Sequence, residues 1–175
     1  MAEINRVKLF GKLNAPTYKT VEGATVFCKL RGNPYVELEH WLAQLLQSPD
    51  SDWHRIIKHY QLDTSALARD LTSALDRLPR GATSISDISE HIADAIERGW
   101  VYGSLLYGEG AVRSGHVLVG MLKTKNLRNA LVAISRQFER LKADELSDAL
   151  PGLIAGSPEE GLGASDGSSG AAGGA

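Results

Sequence analysis

The sequence has little cysteine and little excess charge, and each shortage excludes a class of protein. A single cysteine, Cys28, excludes an internal disulfide and is typical of proteins in a reducing compartment. The net charge of −2 provides no basic field that could hold nucleic acid or an anionic membrane surface. We therefore expect neither nucleic acid nor a membrane among the partners.

Long apolar runs are also missing. No uncharged apolar stretch approaches the roughly 18 residues that a membrane helix needs, and Met1–Phe10 lacks the apolar centre of a signal peptide. Together with the single cysteine, these absences predict a cytoplasmic protein. Sustained alternation of apolar and polar residues is absent as well, so a β-sheet is not expected.

The sequence offers little for catalysis or for binding a metal or a cofactor. No G-x-x-x-x-G-K-[ST] phosphate-binding loop occurs, so this chain by itself should not hydrolyse ATP. His54 and His59 fall on different faces of a predicted helix, which argues against a pair of metal ligands. Cys28 lies on the apolar side of another, which favours a small buried residue over a catalytic thiolate. We expect no catalytic residue, metal or cofactor in this chain.

The apolar residues instead repeat with the spacing of α-helices. Asn14 and Pro16 mark the start of a helix that runs to about Arg31, where Gly32–Pro34 ends it. Ser51 is the expected N-cap of a later helix. By the same criteria, the remaining predicted helices cover about 36–46, 52–60, 67–78, 87–106, 114–122, 126–134 and 138–150.

Two stretches of the chain carry the same pattern. Glu39–Leu46 (EHWLAQLL) aligns with Gly115–Leu122 (GHVLVGML) at an offset of 76 residues. His40 and His116 take the same place in the two stretches, which favours a capping or core role for both. A unit of this size cannot bury its own apolar stripe, so we expect two copies packed together.

The C-terminal end differs in composition from the rest. Residues 156–175 hold seven glycines and one large apolar residue, Leu162, which is too little to offset the entropy of ordering the segment. We predict a folded domain over residues 1–155, with repeats at about 14–80 and 86–150. A flexible linker is expected to follow it.

The paired stretches resemble the Clp N-terminal domain family, whose members feed substrates or adaptors to AAA+ rings. Three further phrases resemble its ClpV branch, from bacterial type VI secretion: INRVKLFGKL at 4–13, EGATVFC at 22–28 and SISDISEHI at 84–92. The first phrase would supply one helix before the repeats. The resemblance implies an all-α fold of two pseudo-symmetric four-helix repeats, preceded by that extra N-terminal helix.

The resemblance also implies a function in recognition. In the ClpV branch the domain binds an amphipathic helix near the N-terminus of the large sheath subunit. A ring of six ATPase subunits then threads and disassembles the contracted sheath for reuse. ATP and magnesium would bind in AAA+ modules that this chain lacks. The alternative is the N-domain of a general Clp disaggregase or protease-linked ATPase, which binds adaptors or unfolded segments.

A groove for such a helix is predicted at the seam between the extra helix and the first repeat. The helix from Pro16 has small or apolar residues on more than one face, which leaves one face for the core and another for a partner. We expect Ile88→Glu to weaken binding and to leave the melting curve nearly unchanged. The predicted peptide-binding residues are Leu9, Leu13, Thr17, Thr20, Val21, Ala24, Ile85 and Ile88.

Overall fold

The computed structural model describes residues 4–168, and most of them are helical. A short helix, α1 (Arg6–Gly11), comes first, and the all-α double repeat that follows it is confirmed. The last predicted helix, about 138–150, is two elements: a 3₁₀ turn at Arg136–Arg140 and an α-helix that begins at Ala143. The first repeat holds α2 (Ala15–Arg31), α3 (Leu38–Gln47), α4 (Asp52–His59) and α5 (Thr64–Asp76); the second holds α6 (Glu90–Leu105), α7 (Ser114–Leu122), α8 (Lys125–Ile134) and α9 (Ala143–Ile154).

Local signals decide where the first-repeat helices begin and end. The Asn14 side chain accepts a hydrogen bond from the Thr17 amide, which caps α2. Gly32 ends the same helix in the left-handed conformation, with a φ of 70°, which glycine adopts without a steric penalty. Ser51 caps α4 through the amide of His54. The predicted caps of these two helices are therefore confirmed.

The second repeat begins its first helix later than the sequence pattern indicated. Asp87–Ile88 form a strand, β2, and Ser89 is the N-cap of α6. β2 pairs in parallel with β1 (Tyr35–Val36). The prediction that this helix starts at about residue 87 is wrong, because two residues per strand are too few to produce a visible alternating pattern.

Short parallel pairings join each repeat to the other. The segment before α6 pairs with the segment before α3, through β2 and β1. The segment before α2 pairs with the segment before α7, through Leu13 and Val112. The two pairings are equivalent under the repeat symmetry. Because each repeat completes backbone hydrogen bonds of the other, we expect the two to fold as one unit.

One hydrophobic core runs through both repeats. Trp41, Trp53 and Phe138 are among its largest fully buried side chains, and Trp53 and Phe138 meet edge to face. α6 and α7 cross closely at Gly120, where a Cβ atom would lie 2.7 Å from the backbone carbonyl carbon of Arg98. None of the helices in residues 4–168 combines the length and the apolar character that a bilayer crossing requires.

Residues that the sequence marked as structural are buried. The Glu37 amide donates a hydrogen bond to His40 Nδ1 at 2.9 Å, and the Arg113 amide donates to His116 Nδ1 at 3.2 Å. The two histidines therefore cap α3 and α7 in the same way, as predicted. Cys28 is fully buried, and its burial raises the pKa of the thiol, so it is a small core residue.

The structure differs from the predicted linker over residues 156–168, which pack against the domain. Ser157, Glu159 and Ala164 are buried, and Ala164 forms an antiparallel bridge with Asn14. The sequence argument counted apolar side chains, whereas polar side chains and backbone hydrogen bonds hold this segment. The rest of the predicted linker, residues 169–175, and the first three residues of the predicted domain lie outside the described residues.

Candidate functional site

A groove of about 480 Å³ runs between α1 and α2. Val7 and Gly11 of α1 line one side, and Tyr18 and Glu22 of α2 line the other. Val7 is 81% exposed, so its side chain is open to contact with a partner. Ala15, Lys19, Ser165 and Asp166 complete the lining.

The chemistry of this groove suits a helix that is apolar along one side. Val7 and the half-buried ring of Tyr18 offer apolar contact area, and the tyrosine also carries a hydroxyl. Lys19, Glu22 and Asp166 place charges of both signs around the apolar centre. An apolar centre within a charged rim is the usual arrangement for helix-in-groove recognition.

α1 has six residues, so its position depends on tertiary contacts rather than on its own stability: Leu9 is buried in the core, and further contacts hold its two ends. At the N-terminal end, Arg6 Nη1 donates to Asp87 Oδ1 at 3.0 Å and to the Ile88 carbonyl at 3.3 Å. The second repeat thereby fixes this end of α1 through β2.

Residues 157–168 hold the other end of α1. The Ser165 amide donates to the Leu13 carbonyl at 2.8 Å, and the Asp166 amide donates to the Gly11 carbonyl at 2.9 Å. Lys12 Nζ lies 3.4 Å from Asp166 Oδ2 in an ion pair. Carbonyls at a helix end have no partner within the helix, and here the C-terminal segment supplies the donors.

A buried carboxylate attaches the same segment to both repeats. Glu159 is 2% exposed and accepts hydrogen bonds from the Asn14 side chain, the Thr17 hydroxyl, and the amide and hydroxyl of Ser114. The Asp52 amide also donates to it, at 2.8 Å. These donors lie at the N-termini of α2, α4 and α7, where free amides and helix dipoles favour a negative charge. Burial acts to raise the pKa of Glu159, but the hydrogen bonds, led by those from Ser114, outweigh it and lower that pKa.

A buried ion pair lies beside Glu159. Arg113 donates two hydrogen bonds of 2.9 Å to the carboxylate of Asp52, one to each oxygen. Arg113 Nη2 also donates to the Ile154 carbonyl and to the Ser157 hydroxyl. The repeats and the C-terminal segment therefore share one buried polar network.

Six of the eight predicted groove residues lie in the core instead of at the surface. The face of α2 that the pattern left free for a partner is filled from within the chain. The Thr17 hydroxyl donates to Glu159, and the Thr20 hydroxyl accepts from Trp41 Nε1 at 2.8 Å. The six residues, each at most 9% exposed, are Leu9, Leu13, Thr17, Thr20, Val21 and Ala24.

The other two predicted residues, Ile85 and Ile88, are half-buried and pack against the core, and the Ile88 carbonyl accepts a hydrogen bond from Arg6 of α1. The seam between α1 and α2 does form a groove, but neighbouring residues line it. Helical periodicity could have found Val7, which lies about 200° around the helix from the buried Leu9. Glu159 and Asp166 had no such signal, because only the folded chain brings them to α1 and α2.

A larger groove, of about 680 Å³, lies within the first repeat between α3, α4 and α5. Leu46, Ile57, Leu67 and Leu71 are among its lining residues. Lys58 is the one formally charged side chain in that lining. The surface is therefore mostly apolar and offers fewer directional contacts than the groove beside α1.

Comparison with known proteins places the chain in a family. The sequence profile of the Clp repeat (R) N-terminal domain matches residues 12–134. The chain belongs to this family. It is 58% identical, over 95% of its length, to the AAA+ ATPase ClpV1 of Pseudomonas aeruginosa PAO1, of which it covers 18%. The chain thus spans about a fifth of the length of the curated relatives that it matches.

Solved structures share this Clp N-domain fold. One structure is 57% identical to this chain, with a TM-score of 0.87. It comes from work on the coevolution of the ATPase ClpV, the TssB-TssC sheath and the accessory HsiE protein in two type VI secretion classes. The match covers 91% of this chain and 98% of that one. A second structure is described as a peptide from the EAEC T6SS Sci1 SciI protein. It is 28% identical to this chain, with a TM-score of 0.77, and the match covers 89% of this chain and 98% of that one. The predicted resemblance to the ClpV branch is confirmed.

Proposed function

We propose that this domain binds an amphipathic N-terminal helix of the large sheath subunit of type VI secretion. It thereby delivers contracted sheaths to an AAA+ ring for disassembly. The groove between α1 and α2 carries the proposal, because it presents the exposed Val7 and the ring of Tyr18 within a charged rim. The similarity to ClpV1 and to structures linked with the type VI sheath supports the choice of partner.

The size of the groove indicates that one domain binds one peptide weakly. Each buried apolar anchor contributes about 1.5–3 kcal/mol before the costs of association, so two or three anchors give roughly micromolar affinity. Six domains on one ring would raise the effective affinity by avidity. In this proposal the parent protein is a cytoplasmic AAA+ ATPase that binds ATP and magnesium in its other modules, and this chain recognises the sheath.

The decisive experiment titrates the domain with a fluorescent peptide from the N-terminal helix of the sheath subunit. We expect Val7→Glu to lower the affinity by about tenfold, since it places a charge against the apolar side of the peptide. Val7 is 81% exposed, so the free energy of unfolding should not change. The matched control is Leu105→Glu, at a leucine that is 83% exposed and outside the groove lining. The proposal fails if wild type shows no saturable binding, or if both variants lose affinity equally.

Ile88→Glu is a poorer probe than the sequence suggested. Ile88 is half-buried and belongs to β2, so a charge there would disturb the pairing with β1 as well as any bound peptide. We therefore no longer expect the melting curve of Ile88→Glu to stay nearly unchanged.

The alternative function is recruitment of adaptors or unfolded segments, as in a general Clp disaggregase. The larger apolar groove in the first repeat favours it, because apolar segments of varied sequence need few directional contacts. Ala68→Glu would place a charge in that lining. Weaker binding of an unfolded test protein by this variant, with sheath-peptide affinity unchanged, would assign the alternative function to that groove.

A further inference from the structure

We infer that residues 157–168, here termed the clasp, form a required wall of the groove between α1 and α2, and that Glu159 is the positioning residue that holds this wall. The inference rests on the proposed function for the identity of the bound peptide. It assigns to the segment after the second repeat a part in recognition, beyond that of a tether.

The clasp has a fixed anchor. Glu159 accepts five hydrogen bonds, from Asn14, Thr17, Asp52 and twice from Ser114, and these donors lie at the N-termini of three helices. A carboxylate that is 2% exposed and fully paired is costly to withdraw, because its five donors would then be buried without acceptors. The start of the clasp therefore has one position relative to both repeats.

From this anchor the clasp reaches the elements that form the groove. Ala164 bridges to Asn14, directly before α2. The Ser165 and Asp166 amides bind the carbonyls of Leu13 and Gly11 at the end of α1. The clasp thus bonds to the end of α1 and to the residue before α2, in addition to the three residues of chain that join the two helices.

The clasp is also part of the groove surface. Ser165 and Asp166 lie in the lining, on the same side as Gly11. A Cβ atom on Gly11 would lie 3.1 Å from the Cβ of Asp166, so the clasp packs directly on α1. The side chain of Asp166 is 35% exposed, which leaves part of it free to touch a bound helix.

The test uses the full chain with Glu159→Gln and the matched control Glu145→Gln, at an exposed glutamate of α9 that lies outside the clasp and outside the groove lining. In glutamine an NH2 group takes the place of one carboxylate oxygen. It would then face an N–H group that now donates to that oxygen, and because two donors cannot form a hydrogen bond, the anchor should fail. We expect the sheath peptide to bind Glu159→Gln about tenfold more weakly, and the control to match wild type. Affinity is measured where urea titration shows each variant to be folded, so loss of folding cannot account for the change.

A second variant and a second readout keep the inference testable if Glu159→Gln does not fold. Asp166→Ala removes a partly exposed ion pair that contributes little to stability. It should still weaken peptide binding severalfold, because the side chain lies in the groove lining. In wild type, bound peptide should slow hydrogen exchange of the Ser165 and Asp166 amides. Unchanged affinity in Asp166→Ala, or exchange that the peptide does not affect, would overturn the inference.

The two proposals fail in different ways. If wild type does not bind the sheath peptide, the proposed function is overturned, and the clasp has no part in recognising that peptide. If wild type binds the peptide and folded Glu159→Gln binds it equally well, the inference alone is overturned. An equal loss in Glu145→Gln would also contradict it, because the loss would then come from removing a negative charge rather than from releasing the anchor.

Discussion

Lowering the pH from 7 to 5 should destabilise this domain through two buried histidines. His40 and His116 are each at most 1% exposed, and in each ring Nδ1 accepts a hydrogen bond from a backbone amide. A nitrogen that accepts a hydrogen bond must be unprotonated. Protonation of the ring would turn Nδ1 into a donor that faces the backbone amide donor, so the hydrogen bond would be lost. Burial, aided by the nearby guanidinium groups of Arg31 and Arg113, lowers the pKa of each histidine from 6.5 to about 4.

The direction and the size of the effect follow from proton linkage. Between pH 4 and 6.5 the unfolded chain binds more protons at these rings than the folded chain does, so stability falls as the pH falls. For one histidine with these pKa values, the loss between pH 7 and pH 5 is about 2 kcal/mol. The two together give about 4 kcal/mol, a large part of the roughly 5–15 kcal/mol typical of a folded domain.

The assay is urea unfolding followed by circular dichroism at pH 7 and pH 5. His40→Gln keeps an acceptor for the Glu37 amide but cannot titrate, so the loss on acidification should shrink by about 2 kcal/mol. His116→Gln should do the same, and the matched control His59→Gln, at an exposed position, should keep the wild-type loss. Burial raises the pKa of Asp52. Its contribution has the opposite sign, but it is common to all variants and cancels in the comparison.

Two outcomes would refute this reasoning. One is a loss between pH 7 and pH 5 that is as large in both glutamine variants as in wild type. The other is an NMR titration in which the ring protons of His40 and His116 change near pH 6.5. Either result would mean that the caps on α3 and α7 tolerate a charged ring.

Two further predictions concern packing and charge in the core. Gly120→Ala should lower the free energy of unfolding by about 1–3 kcal/mol, because its Cβ would lie 2.7 Å from the backbone of Arg98. Gly152→Ala is the control, since apart from its chain neighbours and the backbone of its own helix no atom lies within 4 Å of the added Cβ, and it should leave stability equal or higher. Arg113→Ala should cost about 3–5 kcal/mol, because it leaves Asp52 buried without a counter-charge. Urea titrations at pH 7 check all three, and a neutral result for Gly120→Ala or Arg113→Ala would contradict the structure at that residue.

Short-range signals explain why much of the fold was predictable. Asn14 and Ser51 cap helices by bonding amides three residues ahead, and Gly32 ends α2 by its own conformation. The repeated histidines cap the helices that contain them. β1 and β2 escaped prediction because each has two residues and pairs across the repeats.

The candidate groove was predictable only in position. The pattern on the helix from Pro16 indicated two non-polar faces, but it could not show which of them the fold would cover. Thr17 and Thr20 suited a surface by composition, yet their hydroxyls bond to Glu159 and Trp41 inside the domain. Val7, which the structure exposes, was not among the residues selected.

The sequence by itself determined the helices and their caps, because these depend on residues a few positions apart. It also showed the duplication and the resemblance to the Clp N-terminal domain, because both follow from comparing stretches of sequence. Tertiary structure alone decided which residues line the groove and whether residues 157–168 pack against the domain. Asn14 and Glu159 are separated by 145 residues, and Gly11 and Asp166 meet only when the C-terminal segment returns to α1. The composition of the segment favoured a linker, since it contains almost no apolar surface. One buried carboxylate at three helix N-termini binds it to the domain instead.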